Sequence, residues 1–539
     1  MPSRLAAFTC QLLSALSTIG YCQVPQNPLI LLQESYDAWM EPPHPDATGH
    51  HIFNSVASAM QLWPNSMWPA GHNIIPASIP PWTVLYRGER GGKNLPVASG
   101  KPKFLAFDPE HAYNFCEFAC RIDSYITTRE LKLLYFDGTS AGKYFIPTVR
   151  SLEVQDLLTW GELKPDKDFD EAERIKALCE WAGLYGLDGF VRMEYDFELL
   201  SCNISSGIEF TSSLDVLPKT PWTVHMPGVP NAEPWEPPEG WHGELPNYVD
   251  VMVQGIVAGA WHHRNPGETR VRVDVSGLIS FYDPALRSLI SFRRGVPRRR
   301  HQLAGISSED IKRKLEELKD VLTRETRGSG VDWRSIADVV IARYSARLEQ
   351  LNYTLVQETA FQNASARAAA VRQQLLVVLT PYLTPRDIPH NQLSSNSSWI
   401  SPAVTRCSSA LVGNVPEAIL TPQERVIRHA FLETTGEICR RLGLMWAEAY
   451  GIDNACPETV QSTLEGWRNH ILELMEWLDC SQIHVEAILI RASGYIQEFC
   501  YLSTWPHVLV GDDQDDKMPR CVPSDRTAYK WPSLLGDDA

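Results

Sequence analysis

PWTVLYRGERGGKNLP, Pro81–Pro96, and FLAFDPEHAYNFC, Phe104–Cys116, each carry an apolar, strand-forming run straight into charged side chains. β-Branched and aromatic density marks WTVLYRG (82–88) and KFLAFD (103–108) as strands. The same signal recurs in LKLLYFDG (131–138), GFVRMEYDFELL (189–200) and GIEFTS (207–212). Helical periodicity predicts PEHAYNFCEFACRID (109–123) and DEAERIKALCEWAGLYG (170–186), with a short capped helix in SLEVQDLLTWGEL (151–163). Strands in a run with few helices between them argue against a regular doubly wound sheet. The fold class expected is α+β: a mixed or antiparallel-sheet N-terminal domain with a long, disulfide-linked helical C-terminal region.

Outward from that core, residues 24–78 are rich in Pro, Asn, Trp and His and read as a wrapping segment with one short helix near HHIFNSVASAMQLW. Residues 217–248 are dense in Pro and Trp, and Pro fixes φ and lacks a donor, so no regular element is expected there. VDVMVQGIVAGAWHH (249–263) reads as a helix and RVRVDVSGLISFYDP (270–284) as a strand. Charged amphipathic helices follow over 306–326 and from Asp332 to Gln373, the second broken or bent near Asn352. A Ser-rich linker at 391–402 then leads into long helical patterns. The domain expectation is a signal peptide at 1–22, an α+β domain at 23–305, a helical segment at 306–385 and a disulfide-linked helical domain at 386–539.

At 539 residues, with 44% hydrophobic and 21% charged side chains, the chain is long enough for several cores. A formal net charge of −16 argues against nucleic acid or an anionic membrane as a partner recognised by overall charge. No stretch after the N-terminus has the continuous apolar length of a membrane span. The N-terminus itself, with Arg4 and then an apolar run from Leu5 to Ile19, has the pattern of a secretory signal. Export agrees with the cysteines. Cys116, Cys120, Cys179 and Cys202 lie in the first half, and Cys407, Cys439, Cys456, Cys480, Cys500 and Cys521 in the last quarter, as two separately stapled regions. Sequons at Asn203, Asn352, Asn363 and Asn396 fit a secreted glycoprotein, extracellular or in the cell wall.

The chemistry rests on carboxylates. In FDPEHA, Asp108 has the position of a helix cap before Pro109, and Glu110 suits the positive end of the helix. His111 reads equally well as a surface residue. Asp137 and Asp188 sit where strands meet Gly-containing turns. Read as one strand, 189–200 puts Arg192, Glu194, Asp196 and Glu198 on one face. Such a face is either an exposed edge or a cleft wall in which neighbouring carboxylates hold different protonation states. Glycosidic hydrolysis needs that split, an acid for the leaving group and an ionised base or nucleophile. The candidate catalytic residues are therefore Asp137, Glu194 and Glu198, with Arg87, Asp108, Arg192 and Asp188 as substrate-binding candidates.

The implied partner is a carbohydrate or other small glycosidic substrate, with neither metal nor cofactor, and the helical region offers a surface for a homodimer. HExxH, G-x-S-x-G and Walker signatures are absent, and adjacent His262 and His263 make a poor metal pair. FRRGVPRRRH, Phe292–His301, is read as a phosphate or sulfated-glycan contact, as a processed loop, or as ion-paired internally. Asp512–Asp516 reads as a solvated tail.

Over 82–216, YRG at Tyr86–Gly88, then FLAFDPEHAYNFC, then LKLLYFDG, is similar in order to the ADP-ribosyltransferase fold. That resemblance implies Arg87 contacting a dinucleotide and a late glutamate, Glu194, Glu198 or Glu209, orienting the ribose. The sequence departs from that family in lacking a clear Ser-Thr-Ser strand and a standard glutamate loop. The whole chain resembles uncharacterised secreted proteins of filamentous fungi, which implies export and no particular activity. Three readings follow: a secreted glycosidic hydrolase, a non-enzymatic cell-wall or interaction protein, and an NAD-consuming enzyme.

Overall fold

The computed structural model describes residues 40–478, apart from segments that include 91–99, 143–149, 218–239, 243–250 and 390–396, together with 498–501 and 520–523. The expected signal peptide, Asn396 and the Asp512–Asp516 run lie outside the described residues. Ten strands form one sheet: β1 (Asn73–Ile79), β2 (Val84–Arg90), β3 (Lys103–Ala106), β4 (Cys120–Thr127), β5 (Leu131–Phe136), β6 (Gly189–Met193), β7 (Phe197–Ser201), β8 (Ile208–Val216), β9 (Arg272–Val273) and β10 (Ile279–Ser280). Their order is β10-β1-β5-β6-β7-β3-β2-β4-β8, and β9 pairs with β1 beside β10. Neighbours are antiparallel except β5 and β6, which run parallel. That pair needs a crossover, supplied by helices Glu153–Trp160 and Glu171–Gly183.

Alternation along the strands sorts the core into two layers. Leu133, Tyr135, Val191, Met193, Phe197 and Leu199 face one way and share a continuous cluster with Phe53, Trp333, Phe431 and Trp467. The helices Gly49–Ala57, Trp333–Val356, Ala364–Leu379, Ser401–Ser409, Pro422–Ala449 and Pro457–Leu478 carry that layer. Leu134, Phe136, Phe190 and Leu200 face the opposite way, onto Leu157, Leu178 and Leu318 of the crossover helices and of helix Ser308–Thr323. The architecture is α+β, with a mixed N-terminal sheet and a helical C-terminal region. Leu134 is completely buried, so Leu134→Ala is expected to cost about 2–5 kcal/mol in urea unfolding. A cost near zero would mean that the second layer does not pack on the sheet as described.

Several sequence expectations change. NIIPASI, inside the expected wrapping segment, is the interior strand β1. Its Pro76 accepts from Asp274 N, so its missing N–H falls where β9 has ended and β10 has not begun. The helix expected over 109–123 stops at Asn114, and Cys120–Thr127 is a strand, because β-branched and aromatic residues from Ile122 onward complete the pairing of β2 with β8. The strand expected at 270–284 reduces to the two short pieces β9 and β10. The helix expected from Asp332 to Gln373 is two, Trp333–Val356 and Ala364–Leu379, and Asn363 caps the second through its side chain. Disulfides pair Cys116 with Cys120, Cys179 with Cys202 and Cys407 with Cys439, each within its own half of the chain. No helix among the described residues is long and apolar enough to cross a membrane.

Candidate acid–base site

The segment Gly189–Leu200 is not one strand. It turns back at Glu194–Asp196, so β6 and β7 form a hairpin with Arg192 directly opposite Glu198. Glu194 N donates to Asp196 O at 3.2 Å, and Phe197 N donates to Asp196 Oδ1 at 2.7 Å. The turn contains no Gly or Pro, and it is closed by its own acids. Glu194, Asp196 and Glu198 therefore do not share a strand face. Arg192 gives Nε and Nη2 to Glu198 Oε1, at 2.9 and 2.7 Å, and Nη1 to Glu171 Oε1 at 2.8 Å and Gln155 Oε1 at 3.1 Å.

The two acids of the hairpin tip meet bases from two other elements. On one side, helix Pro109–Asn114 brings His111 Nε2 to 3.1 Å from Glu194 Oε1. On the other, the turn Gly259–His263 brings His262 Nδ1 to 3.2 Å from Asp196 Oδ1. Gly259 permits this approach, since a Cβ there would lie 3.1 Å from the Asp196 carboxylate. His262 Nε2 meets Glu268 Oε2 at 2.9 Å. Arg270 then bridges Glu268, at 2.6 Å, to Asp108, at 3.0 Å. Asp108 thus precedes its helix as expected, but its side chain makes no cap hydrogen bond. Glu194, Asp196, His111, His262 and Glu268 are all almost fully buried.

Buried charges of this kind persist only when paired. Burial pushes Glu194 up to about 7, the charge of Glu198 adding to it while the His111 hydrogen bond opposes it. Burial opposes a charged His111, but the hydrogen bond to Glu194 and the charge of Asp196 outweigh it and raise the imidazole above its ordinary value. Burial likewise opposes charge on His262, and its two carboxylate partners, Asp196 and Glu268, bring it up to about 9. Against burial, His262 and Arg270 hold Glu268 down to about 2. Ligand atoms of Asp108, Asp196 and His262 lie within 4.8 Å of one another. Both nitrogens of His262 are directed at carboxylates, however, so the imidazolium itself is the cation of this cluster.

The structure brings together Glu194, Glu198, Arg192 and Asp108. The other candidates lie apart. Asp137 points toward β1, where it accepts from His72 N and Asn73 N at 2.7 Å each and from Asn73 Nδ2 at 2.5 Å. Asp188, before β6 and so at its far end from Glu194, is held by Arg129 Nη1 and Nη2 at 2.8 and 2.6 Å and by Lys132 N. Arg87 donates to Glu89 Oε1 and Phe104 O rather than to a late glutamate. His111, Asp196, His262, Glu268 and Arg270 belong to the cluster without having been candidates. The sequence offered His262 only as half of an adjacent His pair; in the structure its neighbour Trp261 is 48% exposed, its ring 5.5 Å from the Arg270 guanidinium. Phe115, 42% exposed, lies 5.7 Å from His111. Two exposed aromatic rings therefore lie beside the bases that hold the acids, Trp261 by His262 and Arg270 and Phe115 by His111.

Residues 120–244, which include this hairpin, match the family model described as the YPL277C N-terminal domain. The chain is 24% identical over 400 residues to Uncharacterized protein YPL277C of Saccharomyces cerevisiae, covering 58% of this chain and 78% of that one. It is 23% identical over 398 residues to Uncharacterized protein YOR389W of the same yeast, covering 58% of this chain and 61% of that one. These likenesses support an uncharacterised fungal protein family and show no ADP-ribosyltransferase resemblance. No solved structure matches the chain.

Proposed function

We propose that the chain is a secreted hydrolase of glycosidic bonds, with Glu194 as proton donor to the leaving oxygen and Glu198 as its ionised partner. The observation that carries this reading is the contrast between the two carboxyls. Glu194 is buried and pushed up to about 7. Glu198, four residues on and across the hairpin, is bound by the Arg192 guanidinium. A protonated acid beside an ionised carboxylate is the division of labour that glycoside cleavage requires. Trp261 and Phe115 give a sugar ring an apolar face to stack on as it approaches. Asp137, engaged by three donors, has no part in the reaction. The test is release of reducing ends from a panel of oligosaccharides, alongside chromophore release from aryl glycosides. Hydrolysis of one class supports the assignment, and inertness toward the whole panel sinks it.

Export is part of the proposal. Asn203 and Asn363 stand exposed, whereas Asn352 is half-buried in its helix. Protein collected from the medium of a eukaryotic host is expected to lose mass on treatment with an N-glycan-releasing amidase, with Asn203 and Asn363 converted to Asp. Protein that stays in the cell, or whose mass the enzyme leaves unchanged, would count against the secretory route.

A further inference from the structure

The arginine-rich motif takes no part in the acid–base site. Phe292–His301 borders a separate cavity of about 450 Å³, lined by His50, His51, Tyr282, Arg293, Arg298 and His301. We propose that this cavity binds a phosphate or sulfate ester, the oxyanion held by Arg293 and Arg298 and the organic group lying on the wall formed by Leu286, Ile290, Val296 and Trp477.

The guanidinium groups carry the argument. Arg293 and Arg298 are 8% and 9% exposed, and neither forms an ion pair among the described residues. Arg293 spends Nη1 on Phe281 O at 2.8 Å and Nε on Gln302 O at 3.2 Å, leaving Nη2 without a partner. Arg298 lies 4.7 Å from the Trp68 ring and 5.9 Å from that of Tyr282, and its Nε and Nη1 have no partner. Two buried cations side by side are costly unless an anion joins them. The nearby acids are engaged elsewhere: Asp283 by Lys314 at 2.5 Å, Asp46 by Arg294 at 2.5 Å, Glu153 by Leu303 N and Arg150, and Asp137 by His72 N and Asn73, so Glu153 and Asp137 reach Arg293 and Arg298 through charge alone.

Two imidazoles add donor capacity. His50 and His51 each leave Nδ1 buried and unpartnered. His301, edge to face with His51 at 5.3 Å, donates Nε2 to Val296 O at 2.8 Å, which leaves its Nδ1 an acceptor in the neutral ring. These rings do not form a metal site. Among the described residues, the cluster with three converging ligand atoms is Asp108, Asp196 and His262, and it contains none of them. A tetrahedral oxyanion with several acceptor oxygens suits this set of donors. It would fill only part of the cavity, and the apolar wall provides for an ester group. The two sites share no residue, so this inference stands apart from the hydrolase reading.

The test uses the full chain and calorimetric titration with phenyl phosphate and phenyl sulfate at constant ionic strength, against inorganic phosphate and phenol. Saturable binding of at least one ester, tighter than inorganic phosphate, is expected, and whichever ester binds tighter names the oxyanion. Arg298→Gln should weaken that binding roughly 10- to 100-fold, the range for a lost charged hydrogen bond, with a ligand-free thermal melt no lower than that of the wild type. If Arg298→Gln does not fold, Arg298→Lys is read in its place, since it keeps the charge and loses the planar donors. No saturable heat with either ester in the wild type overturns the proposal, as does a folded Arg298 variant that binds as tightly. Inorganic phosphate binding as tightly as the esters would overturn the role given to the apolar wall.

Discussion

Glu194→Gln is expected to lower glycoside turnover by about 10²–10⁴-fold, the usual weight of a general acid, without weakening the fold. Glutamine has the same shape and keeps a hydrogen bond with His111, but it has no proton to deliver. The stability side follows from the direction of the shift. A carboxyl whose folded value is about 7, against an ordinary 4.5, is held protonated by the fold. The fold therefore loses stability as pH rises from about 4.5 through about 7. The amide cannot ionise, so at pH 8 the variant should unfold at a urea concentration equal to or higher than wild type. The pH–rate profile should also change form. Wild-type activity should fall on the alkaline side near 7, and the residual activity of the variant should lack that limb. Glu198→Gln is a weaker test, because it also removes a partner of buried Arg192 and so confounds chemistry with folding. Turnover by Glu194→Gln within a few-fold of wild type would remove Glu194 from the chemistry.

The elements most legible in the sequence were those whose pattern is local. LKLLYFDG reads as a strand and folds as one, because alternate residues serve the two core layers. The turn at Glu194–Asp196 was hidden because Arg192, Glu194, Asp196 and Glu198 keep a period of two straight through it. What reverses the chain is the cross-strand Arg192–Glu198 pair and the carbonyl and carboxylate of Asp196, which leave no Gly or Pro to mark the turn. Asp137 and Glu194 follow neighbouring parallel strands, so the expectation that they belong together had a basis in topology. Direction separates them: Asp137 turns to the start of β1 and Glu194 to His111. The rest of the cluster is a matter of long-range contact. His262 meets Asp196 from 66 residues away and Arg270 meets Asp108 from 162, distances at which no motif operates. The disulfides divided between the two halves as the spacing of the cysteines implied, but which cysteines pair is set by packing alone.

The second large effect is on stability. His262 is the cation at the centre of the acid chain, held between Asp196 and Glu268 and completely buried. Its folded value of about 9 lies above the ordinary 6.5. Its contribution is therefore complete below pH 6.5 and is lost as pH rises through about 9. Glu268, brought from 4.5 to about 2, contributes above pH 4.5 and loses its share as pH falls toward 2. The pair is thus intact from about pH 4.5 to 6.5. The interval between the two values for His262 corresponds to about 3 kcal/mol. The Glu268 interval describes much of the same contact from the other side and is not added to it. His262→Gln should accordingly lower unfolding free energy by about 3 kcal/mol at pH 5.5, and by much less at pH 9.5, in urea titrations at each pH. Between pH 6.5 and 9 the wild type should lose stability steadily while the variant stays nearly level. Ionisation of Glu194 slopes the same way at lower pH, so the comparison is cleaner in a Glu194→Gln background, where that slope is gone. An unchanged slope in His262→Gln would mean that His262 is not the titrating charge. Arg270, 2.6 Å from Glu268, would then be the group that holds the carboxylate ionised.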